Sequence, residues 1–467
     1  MEDRFAVILI AFSCLSILLL FNVNQNYSFD EAIYFSLADG LYSGHGYGWV
    51  GKDNIDGFRP PALPVVIYAF YLLFGMSELV GEIVIPIVSV TAAILLYYFL
   101  KRNVDRKFAL YSALFLATNF IFLFFSLRVM SENLLLLFLL MDFVFFYESL
   151  KNRRYVALLT LSLVATFLVK YYSVTIALGF VAYLLFFKRE KIRELLVNRF
   201  LIVGIALGLL LLAPWLAYGI KVYNTPFGAV TQHTGFERLV NPAYSIVRYS
   251  AILPILWGPL IPFGVYGLWR LIKSKEKNDV VLLALFSLIT LMLSCGVTSL
   301  LSLRYLEPLV VFLGIIATYG LAGIRHGKIG HVFSGLCLLS LLIGYMFVFL
   351  YIFPQNFVER IPDWINRNSF LSEHMEYKEA ALWLKERTEN NETVITDLYP
   401  FLWLYTQRNW VELPLHNETE FWGVATKYNV RYVYIRDIHV PLFFNDSKTA
   451  LALDKQFVKV YAINENL

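Results

Sequence analysis

The feature that most constrains this chain is a series of about eleven apolar tracts, each near the 20 residues that a helix needs to cross a bilayer. They lie near 5–21, 79–100, 108–127, 132–148, 155–170, 172–187, 200–219, 251–269, 280–298, 302–320 and 332–353. A helix at a water-exposed surface shows a polar face beside its apolar stripe, and long parts of these tracts have none. Composition agrees: of 467 residues, 58% are hydrophobic and 16% charged, against roughly 25% charged in a soluble domain. The chain reads as a membrane protein, an all-α multi-span bundle. Its net charge of +4 is small and its Lys and Arg form no cluster interleaved with aromatics, so no nucleic-acid surface is expected. Cys14, Cys295 and Cys337 all fall in apolar tracts, which argues against a disulfide framework or a Cys-type zinc site.

The few charges are sorted. Lys and Arg accumulate in short cytoplasmic loops. With the N-terminus inside, the inner segments carry 19 of them and the outer segments up to residue 353 carry eight, and the alternation holds at every loop. The first tract has no small-residue cleavage site before Asn22 to Asn26, so it reads as a retained helix rather than a removed signal. An odd number of crossings places the C-terminus outside. Residues 354–467 change character, with helical patterns at Glu373 to Glu389 and Phe421 to Tyr428 and β-rich runs at Thr393 to Thr396 and Val430 to Ile435. That mixture predicts a small extracytoplasmic α/β domain, after a transmembrane domain over 1–353. Four sequons, at Asn26, Asn391, Asn417 and Asn445, fall on the outer segments.

The first external loop, 22–78, is far longer than its neighbours and rich in aromatics and glycine. Loops of that length without obvious regular structure are commonly functional. It contains Ser28-Phe-Asp-Glu-Ala-Ile-Tyr34 and Gly57-Phe-Arg-Pro-Pro-Ala-Leu-Pro64, then an apolar run, Leu63 to Phe74, too short to span and suited to a helix at the interface. The adjacent carboxylates Asp30 and Glu31 suit a general base near a half-dry surface. A plainer reading has Asp30 capping a helix that starts at Glu31.

Other ionisable groups collect on the same outer face. Arg128 and Glu132 lie between the third and fourth tracts, Lys170 with Tyr171 and Tyr172 between the fifth and sixth, and Arg304, Tyr305 and Glu307 open the tenth. Charges at helix ends in lipid are costly and mark function, although a single Lys or Arg there can be an anchor that snorkels to the surface. Cations gathered with carboxylates at headgroup depth can hold a lipid phosphate and activate a nucleophile. His233, in the loop after the seventh tract, is a weaker metal or acceptor contact without an evident partner.

In their order and spacing these motifs resemble the GT-C fold glycosyltransferases: the acidic pair after the first span, Arg59-Pro-Pro ahead of an interfacial helix, the Arg128 to Glu132 turn, and Arg304-Tyr305 near the end. Within that fold the chain is most similar to the protein O-mannosyltransferase and aminoarabinose transferase group, most clearly over residues 28–175. The resemblance implies sugar transfer from a polyprenyl-phosphate donor, dolichyl or undecaprenyl, to a protein, lipid or glycan acceptor outside the cytoplasmic membrane. It makes Asp30 the base or acceptor-positioning group with Glu31 in support, and Arg59 and Arg128 holders of the donor phosphate. Topology adds Lys170 and Arg304 to the phosphate set, with Glu132, Tyr171, Tyr305 and Glu307 supporting. It implies no certain cofactor, and a divalent metal stays open. The Trp-Trp-Asp-x-Gly motif of the oligosaccharyltransferase relatives is absent, which argues against en bloc glycan transfer to Asn. The rival class is a transporter or flippase of lipid-linked sugars, which calls for ionisable groups near the midplane. Asp142 is the clearest carboxylate well inside a tract, and no inverted repeat is visible.

Overall fold

The computed structural model describes residues 2–20, 27–50, 55–56, 59–234, 254–274, 278–297, 303–324, 328–352, 370–414, 417–441, 443–444 and 448–463. Two compact units account for the chain: 1–22, 59–63 and 82–348 in the first, and 23–58, 64–81 and 349–467 in the second.

The first unit is helical. Each of the eleven tracts is mainly helical where it is described. Among the described residues five helices are long and apolar enough to cross a membrane by themselves, Glu78–Asn103, Arg199–Tyr223, Pro254–Lys273, Arg304–Ala322 and Ile329–Met346, and a bent pair makes a sixth. Arg4–Leu19, Tyr155–Val169, Tyr171–Phe187 and Asp279–Ser294 are shorter apolar helices. Ser131–Ser149 has the length but carries Glu132, Asp142 and Glu148. The bent pair occupies the 108–127 tract, which the sequence reads as one span. Here Arg106–Thr118 and Phe120–Ser126 meet at 61°. The break follows from Asn119, whose backbone is extended and whose Oδ1 accepts from the amides of Ile121 and Phe122, capping the second piece. Its Nδ2 donates to the Leu256 carbonyl, so the bend is tied to another helix.

The second unit joins most of the long loop to the C-terminal segment. Its first helix, α1 here, is Phe29–Tyr42, and Ser28 caps it rather than Asp30. The reason is the spacing Ser-x-x-Glu: Glu31 N donates to Ser28 Oγ while Ser28 N donates to Glu31 Oε2 at 2.7 Å, a reciprocal capping box. Residues 31–40 are all buried, with Asp39 among them. The helix predicted at the interface, α2, is Ala62–Phe74. Leu63, Ile67 and Tyr71 are buried at helical spacing, whereas Leu72, Leu73 and Phe74 are mostly exposed, an apolar face suited to lipid.

The C-terminal segment folds as a five-stranded mixed sheet with helices. Its strands are β1 (Thr393–Thr396), β2 (Asn409–Glu412), β3 (Tyr432–Arg436), β4 (Thr449–Asp454) and β5 (Val458–Ile463), and its helices α3 (Phe370–Lys385), α4 (Tyr399–Thr406) and α5 (Glu418–Lys427). The strand order is β2-β1-β3-β5-β4, with β2, β1 and β3 parallel and β5 antiparallel to both its neighbours. Side chains alternate between the faces. Ile395, Val433 and Ile435 pack with Phe421 and Ala425 of α5. Tyr434 points the other way and donates to the Tyr377 carbonyl of α3, whose ring meets Phe401 of α4. The loop helix α1 packs onto this side: Ser36 Oγ donates to the Pro400 carbonyl at 3.2 Å, and Phe29 meets the rings of Tyr399 and Phe401. Of the sequons, Asn26 and Asn445 lie outside the described residues. Asn391 is exposed, and Asn417 caps α5 through its Oδ1.

Candidate active site

In the first unit the site forms where three helices end. Phe120–Ser126 stops at Ser126, the chain turns through Arg128, and Ser131–Ser149 begins with Glu132 in its first turn, where a carboxylate suits the helix dipole. Tyr155–Val169 ends at Lys170, which is extended and is followed by the 3-10 turn Tyr171–Thr175. Ser173 Oγ closes this end by donating to the carbonyls of Lys170 and Thr166. The third end is the 3-10 turn Leu303–Leu309, where Pro308 cannot donate to a continuing helical ladder.

These ends converge. Lys170 Nζ lies 2.6 Å from Glu132 Oε1, and both side chains are buried. The same ammonium sits 4.9 Å from the centroid of the Tyr305 ring, a favourable cation–π contact. Arg304 flanks that ring at 5.0 Å, and its Nη2 donates to the Tyr305 hydroxyl at 3.1 Å. Tyr172 packs edge-on against Tyr305 at 6.3 Å. Glu307 is fully buried, and the charges acting on it are those of Glu132 and Lys170. Asn133 connects it to the bundle. With its amide nitrogen toward Glu307 Oε1 at 2.6 Å, its oxygen accepts from Ser89 Oγ at 2.6 Å and Ser126 Oγ at 2.8 Å, the orientation that satisfies every partner. One turn below Lys170, Thr166 Oγ1 donates to Asp142 Oδ2 at 2.7 Å.

Five of the residues picked from the sequence, Glu132, Lys170, Arg304, Tyr305 and Glu307, therefore share one polar cluster in an apolar bundle. Arg128 is buried four positions ahead of Glu132, and Arg59, half-buried, belongs to the same unit. Tyr171 is buried against Phe167. Asp30 and Glu31 belong to the second unit, where Asp30 is half-buried and Glu31 is engaged in the capping box. Sequence reasoning passed over Asn133 and left Tyr172 unassigned. The signal for Asn133 was an amide placed directly after Glu132 at the head of an apolar tract, where it must find partners. Among the described residues no three of His, Cys, Asp and Glu gather to hold a metal ion, and the side chain of His233 lies outside them.

Residues 58–218 match the sequence profile of the family described as "Dolichyl-phosphate-mannose-protein mannosyltransferase". No curated protein matches by sequence. Among solved structures the chain resembles ArnT from Cupriavidus metallidurans bound to undecaprenyl phosphate, at 12% identity and a TM-score of 0.72, over 100% of this chain and 99% of that one. It also resembles the archaeal oligosaccharyltransferase AglB from Archaeoglobus fulgidus in complex with an inhibitory peptide and a dolichol-phosphate: 12% identity, TM-score 0.59, covering 93% of this chain and 69% of that one. A third likeness is to the arabinofuranosyltransferase AftD from Mycobacteria, at 13% identity and a TM-score of 0.51, over 100% of this chain and 40% of that one. At these identities the likeness is one of fold. The family and all three relatives are transferases, which leaves the flippase reading without a supporting observation.

Proposed function

We propose that this chain, whose fold is that of the GT-C glycosyltransferases, transfers a sugar from a polyprenyl-phosphate donor to an acceptor on the outer face of the cell membrane. The observation that carries the reading is the buried cluster of Lys170, Glu132, Arg304, Tyr305 and Glu307 inside an apolar bundle, in a chain whose residues 58–218 match a lipid-phosphate mannosyltransferase family. Its support from charge is specific. Arg59, Arg128, Lys170 and Arg304 outnumber Glu132 and Glu307 by two positive charges. As the glycosyl C–O bond breaks, a phosphodiester becomes a phosphomonoester and its charge grows toward two. Fixed cations in a water-poor site stabilise that growth best.

In this mechanism the acceptor hydroxyl attacks the anomeric carbon through an oxocarbenium-like state. The bond to the donor phosphate breaks, and Asp30, supported by Glu31, takes the hydroxyl proton. Arg59, Arg128, Lys170 and Arg304 hold the phosphate; Glu132 fixes the Lys170 ammonium, Tyr305 offers its ring to both neighbouring cations, and Tyr171 and Glu307 complete the wall. The Lys and Arg distribution supports a cytoplasmic N-terminus and a multi-pass chain, with a transmembrane domain over 1–353 and an extracytoplasmic domain over 354–467.

The test uses purified protein in lipid nanodiscs with synthetic dolichyl- or undecaprenyl-phosphate sugars, following release of the free polyprenyl phosphate. Asp30→Asn should slow turnover by at least about 100-fold, the lower end of general-base effects, with donor binding retained. Arg128→Ala should weaken donor binding. Near-normal turnover in the first variant removes Asp30 as base, and unmodified protein that turns over no donor of this class removes the transferase reading.

A further inference from the structure

In an open parallel sheet, ligands bind outside the carboxyl ends of the strands, where two neighbouring strands send their connections to opposite sides. The C-terminal segment contains such a point. From β1 the chain passes through α4 to β2 on one side, and β3, on the other side of β1, continues to the antiparallel pair β5 and β4. By that rule the position to search lies at the carboxyl ends of β1 and β3. Thr396 pairs with Tyr434 across these strands, so the next residues to emerge are Asp397 on one side and Ile435 and Arg436 on the other.

A polar constellation stands there. Asp397 Oδ1 accepts from the Arg436 backbone amide at 3.1 Å, and its Oδ2 accepts from Arg436 Nε at 2.7 Å. The same Oδ2 meets Nδ1 of His439, in the 3-10 turn Asp437–His439 that follows β3. Asp397 is nearly buried, while Arg436 and His439 keep 32% and 28% of their side chains exposed. Among the described residues these are the only hydrogen bonds of the Arg436 and His439 side chains, so the outer edge of the constellation is Arg436 Nη1 and Nη2 and His439 Nε2. A carboxylate accepting from Nδ1–H leaves Nε2 of a neutral imidazole as an acceptor. The edge therefore presents the Arg436 donors and a His439 ring nitrogen at the carboxyl end of β3 and the turn that follows it. Beside them Ile438 is 80% exposed, an apolar surface between two polar residues.

Charge decides the ligand class. Asp397 offsets Arg436, and Lys459 is shared by Asp437 at 3.3 Å and Asp454 at 2.7 Å. Three carboxylates, Asp397, Asp437 and Asp454, face two fixed cations, Arg436 and Lys459, so the surroundings carry no net positive charge to draw a free oxyanion. Paired donors and acceptors next to an apolar patch fit a vicinal diol and the C–H face of a sugar ring, because each hydroxyl both donates and accepts. We infer that Asp397, Arg436 and His439, with Ile438 as platform, form a binding subsite for a neutral carbohydrate. Binding rests on this geometry alone; that the bound sugar is part of an acceptor rests on the transferase reading above. Arg436 and His439 make the direct contacts, and Asp397 is the positioning residue that sets both.

The test is to screen the full-length protein in detergent against immobilised neutral oligosaccharides ending in mannose, galactose, glucose or N-acetylglucosamine, with inorganic phosphate as competitor. At least one oligosaccharide should be retained, and phosphate should not displace it. His439→Ala and Arg436→Gln should each weaken retention about tenfold, the loss of roughly one good hydrogen bond. Ile438→Ala, at an exposed position that cannot disturb folding, should weaken it several-fold. Retention of none of these sugars, displacement by phosphate, or unchanged affinity in His439→Ala and Ile438→Ala each overturns the subsite. Donor turnover measured on the same unmodified protein separates the two readings. Sugar binding without turnover leaves the subsite and removes the transferase, and turnover without sugar binding does the reverse.

Discussion

Two lysine–glutamate pairs, one in each unit, show what surroundings do to the same chemistry. Lys170 and Glu132 meet at 2.6 Å with side-chain exposures of 11% and 2%. Lys455 and Glu379 meet at 2.8 Å with exposures of 37% and 51%. The geometry is nearly alike and the environment is not. Taking two charges out of water costs several kcal/mol per ion after relaxation, and the mutual attraction offsets this only when further partners are present. The buried pair has one in the Tyr305 ring. The exposed pair gave up little hydration and gains little. Under the proposed function, the costly buried pair at three converging helix ends holds an ammonium for the donor phosphate, whereas the surface pair is a local contact between α3 and the turn before β5.

The largest expected effect follows directly. Lys170→Met leaves Glu132 buried beside Glu307 without its counter-charge and should destabilise the first unit by about 3–5 kcal/mol, read from thermal unfolding in detergent. The double variant Lys170→Met with Glu132→Leu should recover most of that stability, since an apolar isostere of a buried pair is commonly neutral or better. Donor turnover should stay lost in both. If the double variant regains turnover, Lys170 serves only Glu132 and leaves the phosphate set. If the single variant unfolds with the unmodified protein, the site is hydrated and the contrast with the surface pair collapses.

How far these regions could be read from sequence differs for a physical reason. Apolar length fixed the positions of the helices, because the bilayer imposes one strong requirement on each tract. It could not show the bend at Asn119, where one amide competes with the helical ladder. Members of the cluster were recognisable one at a time as charges against the positive-inside trend. Their pairing across 38 positions, Lys170 to Glu132, was not recognisable, nor was the bridge through Asn133. In the second unit Thr393 to Thr396 read correctly as a strand from its β-branched residues. Strands β2, β4 and β5 and helix α4 were missed, since short elements carry little periodicity. The seating of α1 against Pro400 spans 364 positions, a long-range contact that no local pattern encodes. The capping box, by contrast, is fully written in the Ser28-x-x-Glu31 spacing, which makes Ser28 the cap in place of Asp30.

Asp39 gives a second way to probe burial, outside the spanning helices. Burial pushes its carboxyl up to about 7, Glu78 adds to the rise, and a hydrogen bond with Tyr71 opposes it. A folded-state value above the ordinary 3.8 means that the fold prefers the protonated acid. Its contribution is fully present below about pH 4, declines as the pH rises, and is lost above about 7, a swing on the order of 4 kcal/mol. Amide hydrogen exchange of α1 should therefore be faster at pH 8 than at pH 5 after correction for the intrinsic rate. Asp39→Asn should remove that difference. An unchanged pH dependence in the variant would show that Asp39 reaches water and behaves like a surface carboxylate.

The smallest effect is expected at the exposed pair, and its smallness is the informative part. Glu379 holds the Lys455 ammonium by a hydrogen bond and by charge, raising its pKa, but both side chains stay in contact with water. Exposed pairs contribute about 0–1 kcal/mol, and salt near 1 M shortens the Debye length to about 3 Å and screens what remains. Lys455→Ala should shift thermal unfolding of the second unit barely at low salt and not at all in 1 M sodium chloride. Lys170→Met should be nearly indifferent to that salt, because ions do not reach a pair with 2% exposure at Glu132. Equal costs at the two lysines, or equal salt responses, would mean that burial is not what separates them. The bundle would then have no physical reason to hold Lys170 for a phosphate.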